Sequence, residues 1–223
     1  MDDKNELFAI NQASLGEIAY EKISGAIISG AFKSGEKLTI RGLADLLEIS
    51  STPVRDAVKR LLLEGALEQR APRDVRVPVI TAEHYRQIVD IRLELEGLAA
   101  ARAAERRSAD DLEFLHRNIE ENEVALRKRD WKRGMELNKQ FHFALGEAAR
   151  MPVLLKHLGS LWLQIGPPVS AFYAHGGRKM IECHYDVVKA IEKRDSKEAR
   201  RQIVLDISGS VEAIIANLAS THR

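Results

Sequence analysis

The 223 residues carry 34 Lys/Arg against 33 Asp/Glu, are 45% hydrophobic and include a single cysteine, Cys183. The near-balance of charge excludes a generally polycationic chain. The lone cysteine excludes an intramolecular disulfide framework, and no apolar run reaches the roughly 18–20 residues that a membrane-crossing helix needs. The opening MDDKNELFAI is acidic and lacks the basic-then-apolar order of a secretory signal, so the expectation is a cytoplasmic chain with no membrane partner.

In chain order, residues 14–29 place Ile18, Ile23, Ala26 and Ile27 at helical spacing, with Ser14 and Glu17 in the form of a capping box. Gly30 ends that helix, Gly35 marks a turn, and Lys37–Ile40 reads as a short strand. RGLADLLE, residues 41–48, predicts a short helix burying Leu43, Leu46 and Leu47. A tight connection then leads into STPVRDAVKRLLLEG, residues 51–65, where Thr52 is a candidate cap and Pro53 suits a first turn. Leu67 and the alternating Val75, Val77 and Val79 predict a β-hairpin around Ala71–Asp74. Two short helices joined by a tight turn and backed by a hairpin make a winged helix-turn-helix over residues 1–80.

From Ala82 onward strand signals vanish. Helices are expected at about 82–107, 109–129, 131–149, 151–165, 178–194 and 196–219. Asp110, Asp130 and Asp195 lie near starts, Pro152 suits a first turn, and Gly166-Pro167-Pro168 and Gly176-Gly177 act as breakers. The expected fold is mainly α: the winged helix-turn-helix, then an all-α bundle of six helices over residues 81–223.

The helix at 51–65 buries Val54, Ala57, Val58, Leu61 and Gly65 on one side and turns Arg55 and Lys59 to the other. Ser50, Ser51 and Thr52 gather at its N-terminus, where free N–H groups and the dipole favour a phosphate. Residues 1–80 hold 11 Lys/Arg against 12 Asp/Glu, so an affinity for nucleic acid must come from placement and not from net charge. Arg41 and the hairpin's Arg70, Arg73 and Arg76 are positioned to join Arg55 on one side. Small hydroxyls with one arginine on a leading turn suit the major groove of double-stranded DNA, where arginine takes guanine in a bidentate manner.

Residues 38–65, LTIRGLADLLEISSTPVRDAVKRLLLEG, closely resemble the DNA-binding segment of GntR-family transcription regulators. The remainder is similar to the FCD-type C-terminal domain of their FadR subfamily in its six-helix, VanR-like form, and IVDIRLELEGLAAA, residues 88–101, matches that domain's opening helix with Arg92 and Glu96. The resemblance implies a homodimer reading operator DNA, controlled by a small-molecule effector. It assigns DNA contacts to Arg41, Ser50, Ser51, Thr52 and Arg55, with Lys59 on the same face and the wing tip near Arg73 and Asp74. Ser51 stands where the family usually has arginine, and Asp74 where it usually has glycine.

In the helical half, Asn138 and His142 are four apart on one helix face, and His184 and Asp206 sit on later helices. Two imidazoles and a carboxylate suit a divalent metal such as zinc, nickel or manganese. The resemblance implies the same set, since FadR-type domains often carry an Asp-His-His-His site. Here Asn138 replaces the usual Asp and Asp206 the usual His. A metal-free polar pocket that binds an organic ligand directly is the alternative. The resemblance also implies a small carboxylate effector near the metal, which makes Arg92 its candidate contact; an ion pair with Glu96, four residues on, is the alternative. Cys183 and Trp162 read as core residues. Two further readings of this half are a metal-dependent enzyme, although no H-E-x-x-H or nucleophile-elbow motif is present, and a ligand-free dimerisation domain.

Overall fold

The computed structural model describes the backbone of residues 3–220, with side chains over 15–173 and 178–218. The chain divides into two compact units, Met1–Ile80 and Thr81–Arg223.

The first unit contains α1 (Asp3–Ile28), β1 (Lys37–Leu38), α2 (Ile40–Leu47), α3 (Ser51–Leu63), β2 (Glu68–Ala71) and β3 (Asp74–Arg76). α1 begins well before Ser14, so Ser14 does not start it, and the Ser14 side chain lies outside those described. α1 packs on α3 through Ala19, Ile23, Ile27 and Ile28, while Ile18 is left half-exposed. Glu17, expected in a cap, instead reaches Arg60 of α3 at 2.9 Å. The strands form an antiparallel sheet of order β1-β3-β2, with a bulge between Gln69 and Ala71. The expected strand ends early because Thr39 caps α2, accepting from the Gly42 N–H at 3.0 Å. α2 buries Leu43 and Ala44, but Leu46 is 71% exposed, contrary to the expected apolar face. α3 buries Val54, Ala57, Val58 and Leu61, each worth on the order of 1.5–3 kcal/mol for a full-sized apolar side chain. Gly65 ends α3 at φ 70°, and the Ala66 N–H closes on the Leu61 carbonyl.

The second unit contains α4 (Ala82–Arg106), α5 (Ala109–Lys128), α6 (Trp131–Ala148), α7 (Pro152–Gly176), a 3₁₀ turn (Gly177–Met180), α8 (Glu182–Glu192), α9 (Ser196–Gly209) and α10 (Val211–Ser220). All six predicted helical segments are present. The span read as one helix over 196–219 is divided at Ser210. Asp130 and Asp195 cap α6 and α9, whereas α5 starts from a Ser108–Asp111 capping box rather than at Asp110. Arg129 and Arg194 adopt the left-handed conformation at φ 56°, and the next residue closes the preceding helix before capping the following one. This arrangement keeps the α5–α6 and α8–α9 turns short.

Gly166-Pro167-Pro168 does not break the chain: α7 runs through it. Proline inside a helix costs about 3 kcal/mol or more in lost hydrogen bonding and steric clash. Here the whole Ile165–Val169 stretch is buried, so the rings contribute apolar area that offsets the lost bonds. α4 packs chiefly on α9, α6 and α7, and α8 on α9, so these helices enclose the site described below.

Gly134 of α6 faces the ring of Tyr173, whose hydroxyl donates to Asn122 at 2.8 Å. A Cβ at position 134 would stand 2.7 Å from that ring. Gly134→Ala is therefore expected to destabilise the protein by about 1–3 kcal/mol, read as a lower Tm. An unchanged Tm would mean that Tyr173 is free to move aside.

Candidate DNA-reading face and buried histidine site

Arginines of the first unit fall into two groups. Arg60 is held by Glu17 and Glu64, Arg70 by Glu68 at 2.6 Å, and Arg76 by Asp74 at 2.9 Å and by the Gly35 carbonyl. Arg70 and Arg76, expected to join Arg55, are thus paired with neighbouring acids. Arg41, Arg55 and Arg73 are exposed, and among the described residues none has a partner. Lys59 is exposed and lies 3.4 Å from Asp56. Asp74 is half-buried between Arg76 and Lys37, so its charge is met within the sheet rather than presented at the wing tip.

The start of α3 differs from the other polar caps. Thr39, Thr81, Ser108, Asp130 and Asp195 each accept a hydrogen bond from an N–H of their own helix. Ser50, not Thr52, is the N-cap of α3, and its side chain makes no such bond. The first N–H groups of α3 thus lack an internal side-chain acceptor, Pro53 has none to offer, and Ser50, Ser51 and Thr52 are exposed beside them. An open helix start with uncommitted hydroxyls and Arg55 one turn on is chemically suited to an anion such as a backbone phosphate.

In the second unit, α6 carries Asn138 and His142, α8 carries His184 and α9 carries Asp206. Asn138, His142 and His184 are buried. His142 Nε2 lies 3.5 Å from one Asp206 oxygen and His184 Nε2 lies 3.6 Å from the other. Ligand atoms of His142, His184 and Asp206 all stand within 4.8 Å of one another. The N···O separations are too long for hydrogen bonds. They match the roughly 3.4 Å between two ligands held about 2.1 Å from one tetrahedral ion. His184 is fully buried, yet neither ring nitrogen has a hydrogen-bond partner. A buried unpaired polar atom costs about 1–3 kcal/mol, and a neutral imidazole carries one lone-pair nitrogen, so Nε2, turned towards Asp206, suits an electron-pair acceptor such as a metal ion. Burial pushes the His184 pKa down against the pull of Asp206, keeping the ring in the neutral form a metal requires. The residues present fit a divalent metal.

Behind His142 lies a residue the sequence suggested only as an ion-pair partner. Glu96 of α4 is completely buried and accepts from His142 Nδ1 at 2.5 Å and from Arg92 Nε at 2.6 Å. Burial raises its pKa, but Arg92 and His142 outweigh that effect and hold it at about 2. Arg92 thus pairs with Glu96 and also lines the cavity, its guanidinium carbon 4.6 Å from the centre of the Trp162 ring.

The cavity has a volume of about 430 Å³. Asn138, His142, Asp206 and Arg92 supply polar wall, and Tyr85, Val169, Phe172, Leu205 and Ile214 supply apolar wall. Cys183 and Trp162, read from the sequence as core, both line it. Cys183 is only half-buried, because the turn of α8 that buries His184 directs the neighbouring residue to the cavity. Periodicity marks which residues face inward but not which of them border a void.

Residues 87–208 match the FCD domain, and residues 15–77 match the bacterial regulatory proteins of the gntR family. The HTH-type transcriptional regulator McbR of Escherichia coli (strain K12) is 31% identical over 190 residues, which is 83% of this chain and 86% of McbR. The chain belongs to the GntR family. The solved structure of E. coli McbR/YncC matches this GntR regulator with a TM-score of 0.83 at 27% identity, covering 94% of this chain and 99% of the other. A putative GntR transcriptional regulator from Rhodococcus sp. RHA1 shares the fold, with a TM-score of 0.77 at 17% identity and coverage of 91% and 98%. This GntR protein is a transcriptional regulator with a helix-turn-helix DNA-binding domain and an FCD effector-binding domain. Arg92, Glu96, Asn138, His142, His184 and Asp206 all fall within the FCD match, and residues 41–73 of the reading face within the GntR match.

Glu96 keeps its charge in the folded protein down to about pH 2, against an ordinary value of 4.5. Its ion pairs contribute fully above pH 4.5, and that contribution is lost as the pH falls from 4.5 towards 2. Acid unfolding monitored by circular dichroism should show a steep loss of stability in that window for wild type and a shallower one for Glu96→Gln. Equal slopes would show that Glu96 is not held charged.

Proposed function

We propose that this GntR regulator binds operator DNA as a homodimer and releases or tightens it when a small carboxylate effector, assisted by a divalent metal, occupies the FCD cavity. Arg41, Arg55 and Arg73 would meet the duplex together with Ser50, Ser51, Thr52 and Lys59. Arg55 is the candidate for base contact and the hydroxyls for phosphates. Two copies related by a two-fold axis would read an inverted repeat. His142, His184 and Asp206, with Asn138 beside them on the cavity wall, would hold zinc, nickel or manganese. Such an ion supplies a Lewis-acidic centre for a carboxylate oxygen. Arg92 would meet the effector's charge through the guanidinium nitrogens that Glu96 does not use, and the apolar wall would receive its carbon skeleton. A regulator of this kind acts on DNA in the cytoplasm, and no helix among the described residues is long and apolar enough to cross a membrane.

The observation that carries the reading is the convergence of His142, Asp206 and Arg92 on one 430 Å³ cavity, with orphaned His184 against Asp206. Linkage supplies the regulation: an effector that favours one arrangement of the dimer's reading heads changes operator affinity by the same coupling free energy.

Two experiments test it. Arg55→Ala should weaken operator binding by about 1–3 kcal/mol, read by fluorescence anisotropy at fixed salt, and wild-type affinity would refute the assigned face. Elemental mass spectrometry of tag-free protein should find bound metal in wild type and none in His142→Ala. Metal-free wild type would leave the cavity to ligands held by hydrogen bonds alone.

A further inference from the structure

We infer that Glu96 is the positioning residue of the metal site: held by Arg92, its carboxylate fixes the His142 ring so that Nε2 faces Asp206 and the cavity. The inference rests on reading His142, His184 and Asp206 as metal ligands, and it adds a residue from a helix that supplies no ligand.

The contacts form one continuous chain. Arg92 Nε donates to Glu96 Oε1 at 2.6 Å, His142 Nδ1 stands 2.5 Å from Glu96 Oε2, and His142 Nε2 stands 3.5 Å from Asp206. An ionised carboxylate only accepts hydrogen bonds, so the proton on His142 resides on Nδ1 and Nε2 keeps its lone pair. Neutral imidazole alone has no such preference strong enough to exclude the other tautomer. Glu96 therefore decides which nitrogen is available as a ligand.

Neither Glu96 nor Arg92 is free to swing away. Arg92 lies one turn earlier on α4, is 5% exposed, and is covered by the Trp162 ring. Glu96 has no solvent exposure at all. A carboxylate behind a ligating imidazole also raises its basicity as well as fixing its orientation.

The second histidine is held differently. His184 has no partner on Nδ1, and its ring stacks on Phe141 at 3.8 Å with planes 7° apart. Apolar stacking orients that ring without supplying a carboxylate partner to Nδ1. The two imidazoles are therefore unequal, and the metal affinity contributed by His142 depends on α4.

The test uses the full chain with cobalt(II) as the probe, because its visible absorption reports the ligands around the ion. Glu96→Gln keeps an amide oxygen for Nδ1–H but removes the charge. The double variant Arg92→Met/Glu96→Leu removes both charges together, so no unpaired ion is left buried. Cobalt affinity should fall by about 10–100-fold in the double variant, with an altered visible spectrum. Glu96→Gln should fall between it and wild type, each protein being checked for folding by metal-free Tm. If the double variant does not fold, the comparison rests on Glu96→Gln. Unchanged affinity and spectrum in a folded variant would overturn the role of Glu96. Failure of wild type to take up cobalt would overturn the metal reading itself, and this inference with it.

Discussion

The helical domain is organised around a charge that has no access to water. Glu96 is fully buried, and a carboxylate in that position is tolerable only because Arg92 and His142 both donate to it. Removing one partner from such a group costs about 3–5 kcal/mol, so α4 and α6 must meet in this register and Trp162 must cover the arginine. The same contacts direct His142 towards Asp206 on α9 and leave His184 of α8 as the third member. The stability of the bundle and the shape of its site thus depend on one interaction. The cavity exists where the surrounding side chains stop short of filling the space in front of that chain.

The winged-helix unit follows a complementary logic. Its acids are used to neutralise the basic residues that build the fold: Glu17 and Glu64 on Arg60, Glu68 on Arg70, Asp74 on Arg76 and Lys37. Arg41, Arg55 and Arg73 are exposed and, among the described residues, have no partner. A unit with nearly balanced charge can therefore still leave particular arginines uncompensated, since its ion pairs engage one group of arginines and not the other. Surface pairs of this sort contribute little to stability, roughly 0–1 kcal/mol each. Their larger effect is on where uncompensated charge remains.

Much of the fold was legible in the chain itself. The 3.6-residue spacing of apolar residues located most of the helices, though not the break between α9 and α10 or the full lengths of α1 and α7, and Asp130, Asp195 and Pro152 marked starts that the structure retains. The errors share a cause, namely local rules overridden by neighbours that sequence does not display. Pro167 and Pro168 carry a strong breaking signal, yet burial of the segment carries α7 through them. Leu46 fits an inward pattern but finds nothing to cover it within its own unit.

The candidate site divides in the same way. Residue types and helical spacing were enough to nominate Asn138, His142, His184 and Asp206, and the family resemblance added Arg92, because metal ligation and anion binding demand particular donors that few residues supply. Spacing along one helix says nothing about which face of another helix it meets. The convergence of α6, α8 and α9, the cavity bordered by Cys183 and Trp162, and the burial of Glu96 were decided by tertiary packing alone. Most of the helices and the inventory of donors follow from local periodicity and side-chain chemistry, and so could be read along the chain. The nitrogen that His142 turns to the cavity was settled by packing, because it depends on contacts with Glu96, 46 positions earlier, and with Asp206 on a later helix.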